Sequence, residues 1–269
     1  MTSFAGRRGE RGMTTRALAA VGGLAAVLTI VGLSGVGDAP APLAEAQLMA
    51  EHFQALRVDV FIGAAVGLVG AALLTGFGLT LALRLARAGE QGAALVVGAG
   101  LTAVVWYLLA IHVVYATLSY AVATTSADVT KGMFVATILA VPVFGLGVAT
   151  LLVGAAIGCG RADVMPSWWR TATLGAGTLS TIAVFSYADS GFFSPDVQQQ
   201  VLTYVLVAWL LTTSVVSAVS RRHRCLDWPA TPRDHAIKGS EPVGITVAPD
   251  GNPSYTMFAA DKIGTLPLR

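Results

Sequence analysis

The stretch Trp106–Tyr115, WYLLAIHVVY, sets one imidazole among apolar and aromatic side chains. An ionisable group inside a hydrocarbon-length segment is costly and is by default a candidate functional residue. Histidine also changes charge near neutral pH, which suits it to proton transfer, to solute binding and to metal ligation. Helical positions three and seven residues after His112 share its face, so Tyr115 and Ser119 lie on the same stripe. An imidazole, a phenol and a hydroxyl in line can pass protons or hydrogen-bond a polar solute. The same ring can instead serve as helix glue, a neutral imidazole bonded to a neighbouring helix. Glue is the commoner outcome, a proton or solute role comes second, and metal binding third. Bis-histidine haem ligation is disfavoured because no second histidine falls within a span, and no cofactor is expected.

Further polar residues collect at the same end as the stripe. Glu51, His52 and Asp59 precede or open the second apolar segment, and Asp128 lies between the third and fourth. Tyr187 and Asp189 close the fifth, while Asp196 and Gln198-Gln199-Gln200 open the sixth. With Asp59, Tyr187 and Asp189 as its rim, this set reads as an outward-facing polar vestibule with His112 deepest. Polar loop ends occur in every membrane protein, so the cluster alone is weak support. The adjacent Glu51-His52 pair is too little for a metal site. Ser186-Tyr187-Ala188-Asp189-Ser190 would need an adjacent base to act as a nucleophile, and no H-E-x-x-H, G-x-S-x-G, Walker A or dinucleotide-binding motif occurs. An enzyme is the least favoured class.

The elements that must carry these residues are membrane helices. Only 12% of the 269 residues are charged and 55% are hydrophobic, whereas a soluble domain carries about 25% charged residues. The charges cluster, leaving segments long enough for a hydrocarbon core of ~30 Å. The expected fold is an all-α, polytopic transmembrane bundle of about six spans, near 17–36, 58–85, 93–122, 133–158, 171–187 and 197–220. Residues 1–16 form a basic N-terminus and 221–269 a Pro-rich tail, expected to be largely disordered. Within that tail, VGITVAPDGNPSYTMF carries two β-favouring runs about a turn signal and is the alternative hairpin.

With both termini cytoplasmic, fifteen Lys and Arg residues lie inside, among them Arg84, Arg87, Arg161 and Arg170. Only Arg57 and Lys131 lie outside. Such a bias sets orientation, and Trp168-Trp169 then fall at the inner aromatic belt. Met13 opens MTTRALAAVGG and reads as a more natural start than Met1. Span one, at about 20 residues, exceeds a signal h-region and is expected to be retained.

Gly63, Gly67 and Gly70, and likewise Gly154 and Gly158, are spaced for close helix packing. Their partners are other spans or the face of a homo-oligomer. Pro142 is expected to kink the fourth span. Cys159 and Cys225 lie toward the reducing side without metal or redox spacing. The lipid bilayer is the expected partner, and no basic stripe points to nucleic acid.

The opening MTTRALAAVGGLAAVLTIVGL, the EHFQALRVD approach to the second span and the six-span layout with a basic tail resemble uncharacterised actinobacterial multi-pass membrane proteins. The resemblance covers about residues 13–224. It implies a helical bundle in a bacterial plasma membrane and carries no activity or functional residue. The leading functional expectation is small-molecule or ion transport through the vestibule. The alternative is a non-enzymatic sensor or assembly module acting through its tail.

Overall fold

The computed structural model describes the backbone of residues 4–37, 39–42, 44–121, 125–188, 191–219, 242–247, 253–257 and 262–265, with side chains within 17–219. The chain divides into two compact units, Met1–Leu226 and Asp227–Arg269. The first is all helix: α1 (Phe4–Ser34), α2 (Ala46–Ala55), α3 (Arg57–Arg87), α4 (Gln91–Ala121), α5 (Ala127–Leu139), α6 (Val141–Arg161), α7 (Ser167–Ser180), a 3-10 turn (Thr181–Phe185) and α8 (Pro195–Val219).

Among the described residues five helical segments are long and apolar enough to cross a membrane: Ala17–Ser34, Arg57–Arg87, Gln91–Ala121, Ala127–Arg161 and Pro195–Val219. The expected fifth span, 171–187, is divided between the 14-residue α7 and the tighter 3-10 turn. Thr181, Ile182 and Val184 are β-branched and crowd the preceding turn, and a 3-10 turn is a common way to end a helix.

Helices α1, α3, α4, α6 and α8 close into a ring, each packed on the next and α8 on α1. Helix α7 and the 3-10 turn lie against α6 and run antiparallel to it. Arg170 sits beside Gly160, Gly177 beside Leu152 and Val153, and Ala183 beside Gly145. The segment thus returns the chain from the end of α6 to the start of α8, at the far end of the ring. One end of the ring gathers Arg84, Arg87, Arg161 and Arg170, with Glu90 reaching Arg161 at 3.6 Å. The other holds Arg57 and Lys131.

Small residues set the helix spacing. A methyl at Gly32 of α1 would meet the backbone of Gly67 in α3, and one at Gly63 the backbone of Gly32 and Gly35. Gly100 of α4 lies on the backbone of Leu151 in α6, while Gly154 and Gly158 face Val96, Val97 and Ala93 of α4. The glycine faces legible in the sequence therefore pack span on span within the chain, where lipid supplies no hydrophobic drive and close backbone contact must. Pro142 has no N–H to give and would crowd the carbonyl four residues back. The break at Ala140 between α5 and α6 falls where that requires.

Outside the ring stand Leu24, Phe61, Ile62, Leu83, Leu95, Trp106 and Val215, all exposed. In water such a surface would drive association; against lipid it is the natural face. Of the paired tryptophans, Trp168 points outward, but Trp169 is buried and its Nε1 donates to Thr213 Oγ1 at 3.1 Å.

Helix α2 lies across the expected outer end on α3, α4 and α5. Met49 and Phe53, four residues apart, are its buried face, with Phe53 against Tyr115 and Phe134. The second unit holds three short strands in part of the segment expected to be largely disordered: β1 (Pro242–Val247), β2 (Pro253–Met257) and β3 (Lys262–Thr265). They pair antiparallel in the order β1-β2-β3, with Ile245 opposite Tyr255 and Tyr255 opposite Gly264. The hairpin alternative accounts for the first two, and Pro253 opens β2, one of the positions where a strand tolerates proline.

Candidate functional site

Helices α1 and α8 touch near one end of the ring, where Gly22 faces Ser214, and enclose a cleft near the other. That cleft has a volume of about 460 Å³, within the range of small-molecule sites. Ile30, Leu33 and Ser34 of α1 form one wall, and Asp196, Gln199, Gln200, Thr203 and Tyr204 of α8 another. Tyr115 of α4 with Phe134 and Ile138 of α5 lie behind. On α8, Asp196, Gln199 and Thr203 fall at helical spacings of three and four, which brings a carboxylate, an amide and a hydroxyl to one face.

Among the described residues Asp196 is the only carboxylate that lines the cleft, and no cationic side chain does. Its Oδ1 is closed off from solvent with no donor from the protein. Tyr115 is buried, and its side chain lines the cleft beside Gln199. Neighbouring Gln198 turns away, its Nε2 donating to the Phe192 carbonyl at 2.6 Å.

His112 lies one turn deeper on α4 and is fully buried. Its Nδ1 donates to the Leu108 carbonyl at 2.5 Å. Nε2 has no protein partner and sits in a notch left by Gly67, where a methyl group would overlap the ring. Ser119, the third member of the stripe, is buried and donates back to the Ala116 carbonyl at 2.8 Å. Thus His112, Tyr115 and Ser119 do share a buried face, but of the three Tyr115 alone is among the residues lining the cleft.

Two of the expected rim residues are not among those lining the cleft. Asp59 is exposed in the first turn of α3, and Tyr187 is exposed, neither lining the cleft. Asp189 lies outside the described residues. His52 is fixed by its Nε2 donating to the Val36 carbonyl at 2.9 Å. Ser186 donates to the Ala183 carbonyl at 2.6 Å. Cys159 is buried, and Cys225 lies outside the described residues. Among the described residues no three His, Cys, Asp or Glu side chains converge as a metal site.

Below the cleft, buried polar atoms recur through the ring. Besides His112 Nε2, the Tyr107 hydroxyl, Trp209 Nε1 and Ser214 Oγ have no protein partner. From Asp196 to Ser214 is about 27 Å along α8 at 1.5 Å per residue. Tyr107 stacks on Phe144 at 4.6 Å, and Trp209 meets Phe77 edge-on at 5.9 Å, so both rings are fixed. Other hydroxyls in the bundle, such as Thr29, Thr75, Thr102 and Thr203, bond to a carbonyl four residues back. That is the usual way to quiet a hydroxyl in a helix, and Ser214 departs from it. At the far end a smaller, mostly apolar pocket of about 50 Å³ is lined by Leu18, Phe77, Arg84, Thr213 and Ser217 among others.

No protein-family model, curated protein or solved structure matches the chain.

Proposed function

We propose that the chain is a six-crossing protein of a bacterial plasma membrane that admits a small polar solute or ion at its outer cleft and passes it inward past His112. The sixth crossing is α7 with the 3-10 turn, which at ~1.5 and ~2.0 Å per residue together cover about 30 Å, the hydrocarbon thickness. The arginine-rich end is cytoplasmic by the positive-inside bias, which places the cleft outside. The observation that carries the reading is the series of buried polar atoms without protein partners beneath the cleft: His112 Nε2, Tyr107, Trp209 and Ser214. Each such group costs about 1–3 kcal/mol if left unmet. A passing solute, or water accompanying it, meets that need where aliphatic packing would not.

The test is influx of labelled rubidium ion, glycerol and tetramethylammonium into proteoliposomes of the purified chain. At least one should enter about tenfold faster than into protein-free vesicles, a barrier lower by about 1.4 kcal/mol. Thr203→Trp, which sets an indole in the cleft, should return that rate to the protein-free value. Entry of all three at the protein-free rate would overturn the reading.

A second reading, a sensing or assembly module, rests on the β1–β3 sheet, whose outer strands leave edges to which a partner strand can pair. It requires that removing 242–265 abolish a cellular phenotype while influx is retained.

A further inference from the structure

Resting on the cleft reading above, we infer that the cleft takes an ammonium-bearing amphiphile, with Asp196 as its counter-ion. Three features of the walls point to this class. The first is charge: among the described residues one carboxylate and no Lys, Arg or His line the space, so an anionic ligand would meet repulsion and a neutral one would leave the carboxylate uncompensated. Asp196 stands in the first turn of α8, where the helix dipole favours an acid. That contribution is small and fades within the first turn, and Asp196 Oδ1 is closed off from solvent without a donor. The dipole therefore does not by itself settle the group.

The second feature is the aromatic content. Tyr115, Phe134 and Tyr204 all line the cleft, and ring faces attract ammonium groups, quaternary ones included. Gln199, Gln200, Thr203 and Ser34 supply side-chain oxygens able to accept hydrogen bonds from an ammonium that carries N–H.

The third is the apolar wall. Ile30, Leu33, Val36 and Ile138 also line the cleft, and Ile30 and Tyr204 are exposed on the outside of the bundle as well. The cleft therefore reaches the lipid-facing surface between α1 and α8, where an alkyl stem can lie while its ammonium sits at Asp196. That chemistry is shared by a free alkylamine and by the ammonium headgroup of a lipid.

The experiment is titration calorimetry of the full chain in nanodiscs of phosphatidylglycerol, using n-hexylammonium, n-hexyltrimethylammonium and n-hexanol as probes. At least one ammonium probe should bind about tenfold or more tighter than hexanol, since a tenfold preference needs only about 1.4 kcal/mol of charge complementarity. Asp196→Asn should erase that preference while leaving the melting temperature within the wild-type range. Thr203→Trp, which fills the space and leaves the carboxylate in place, should abolish binding of all three and covers the case in which Asp196→Asn does not fold.

Nanodiscs containing phosphatidylethanolamine distinguish the source. Weakened probe binding there identifies the lipid headgroup as the occupant, and unchanged binding identifies the free amine; either supports the inference. Equal affinity for hexanol and both ammonium probes, or an ammonium preference that survives Asp196→Asn, would overturn it. Because binding is read without flux, ammonium binding with no influx would sink transport alone, and influx without an ammonium preference would sink this inference alone.

Discussion

Gly100→Val is expected to be among the most damaging single substitutions in the bundle, with a loss of about 3 kcal/mol. A side chain at Gly100 would run into the backbone of Leu151 and the carbonyl of Gly147. Backbone atoms cannot turn aside as a side-chain tip can, so α4 and α6 would have to separate along their whole contact. That would also loosen Gly147 from Val104 and Gly154 from Val97. Gly98 lies on the same helix with nothing within 4 Å of its would-be Cβ. Gly98→Ala should be neutral or slightly stabilising, within about 1 kcal/mol, because alanine is the better helix former. The melting temperatures of the two variants in one detergent decide the matter. Equal shifts would mean that α4 and α6 do not meet through Gly100.

The second large effect is expected at the notch under His112. A methyl at Gly67 would overlap the imidazole, whose other nitrogen is held by the Leu108 carbonyl. Gly67→Ala, normally favourable in a helix, should here cost about 1–3 kcal/mol from overpacking. Combining it with His112→Ala removes the obstruction, so the double variant should be more stable than the sum of the singles by more than about 1 kcal/mol. The measurement is a double-mutant cycle on unfolding in mixed micelles. Additive costs would show that the ring does not occupy the Gly67 notch, and would remove His112 from the α3–α4 contact.

Much of this architecture is readable from composition and spacing because the bilayer leaves few alternatives. Long apolar runs must be helices, since lipid offers no partner for an open backbone. Gly63, Gly67 and Gly70 occur at the spacing of close-packed helix faces, and Pro142 marks the break it causes. His112 and Tyr115 are legible as buried neighbours because a helix places residues three apart on one face.

What resists reading is the partner of each face. Asp59 and Tyr187 were expected at the rim as polar groups at the right end, yet sequence order does not say which side of a helix end faces the cleft. Asp196, Gln199 and Thr203 carried the needed signal in their spacing, diluted by the polar residues found at any span's start. Gln198 and Gln199 show the difficulty, as adjacent amides of which one turns to the Phe192 carbonyl and the other lines the cleft beside Tyr115. Helix α2 was also missed as an element: ten residues are too few for a span, although Met49 and Phe53 already mark one apolar face. The split of the 171–187 segment is marked locally only by the β-branched Thr181, Ile182 and Val184, and such residues also occur within the unbroken helices α4 and α8.

The proposed function requires that the cleft beside Asp196 admit water and open to the outside. It is tested most directly by Thr203→Cys in a chain whose Cys159 and Cys225 are replaced by serine, in sealed right-side-out vesicles. Thr203 lines the cleft and is otherwise nearly buried. A membrane-impermeant thiol reagent added outside should label it, and n-hexylammonium or n-hexyltrimethylammonium should slow the labelling. Val207, one turn deeper and buried below the cleft, should resist the reagent when changed to cysteine. No labelling at position 203, or labelling only in inverted vesicles, would contradict an outward-opening cleft.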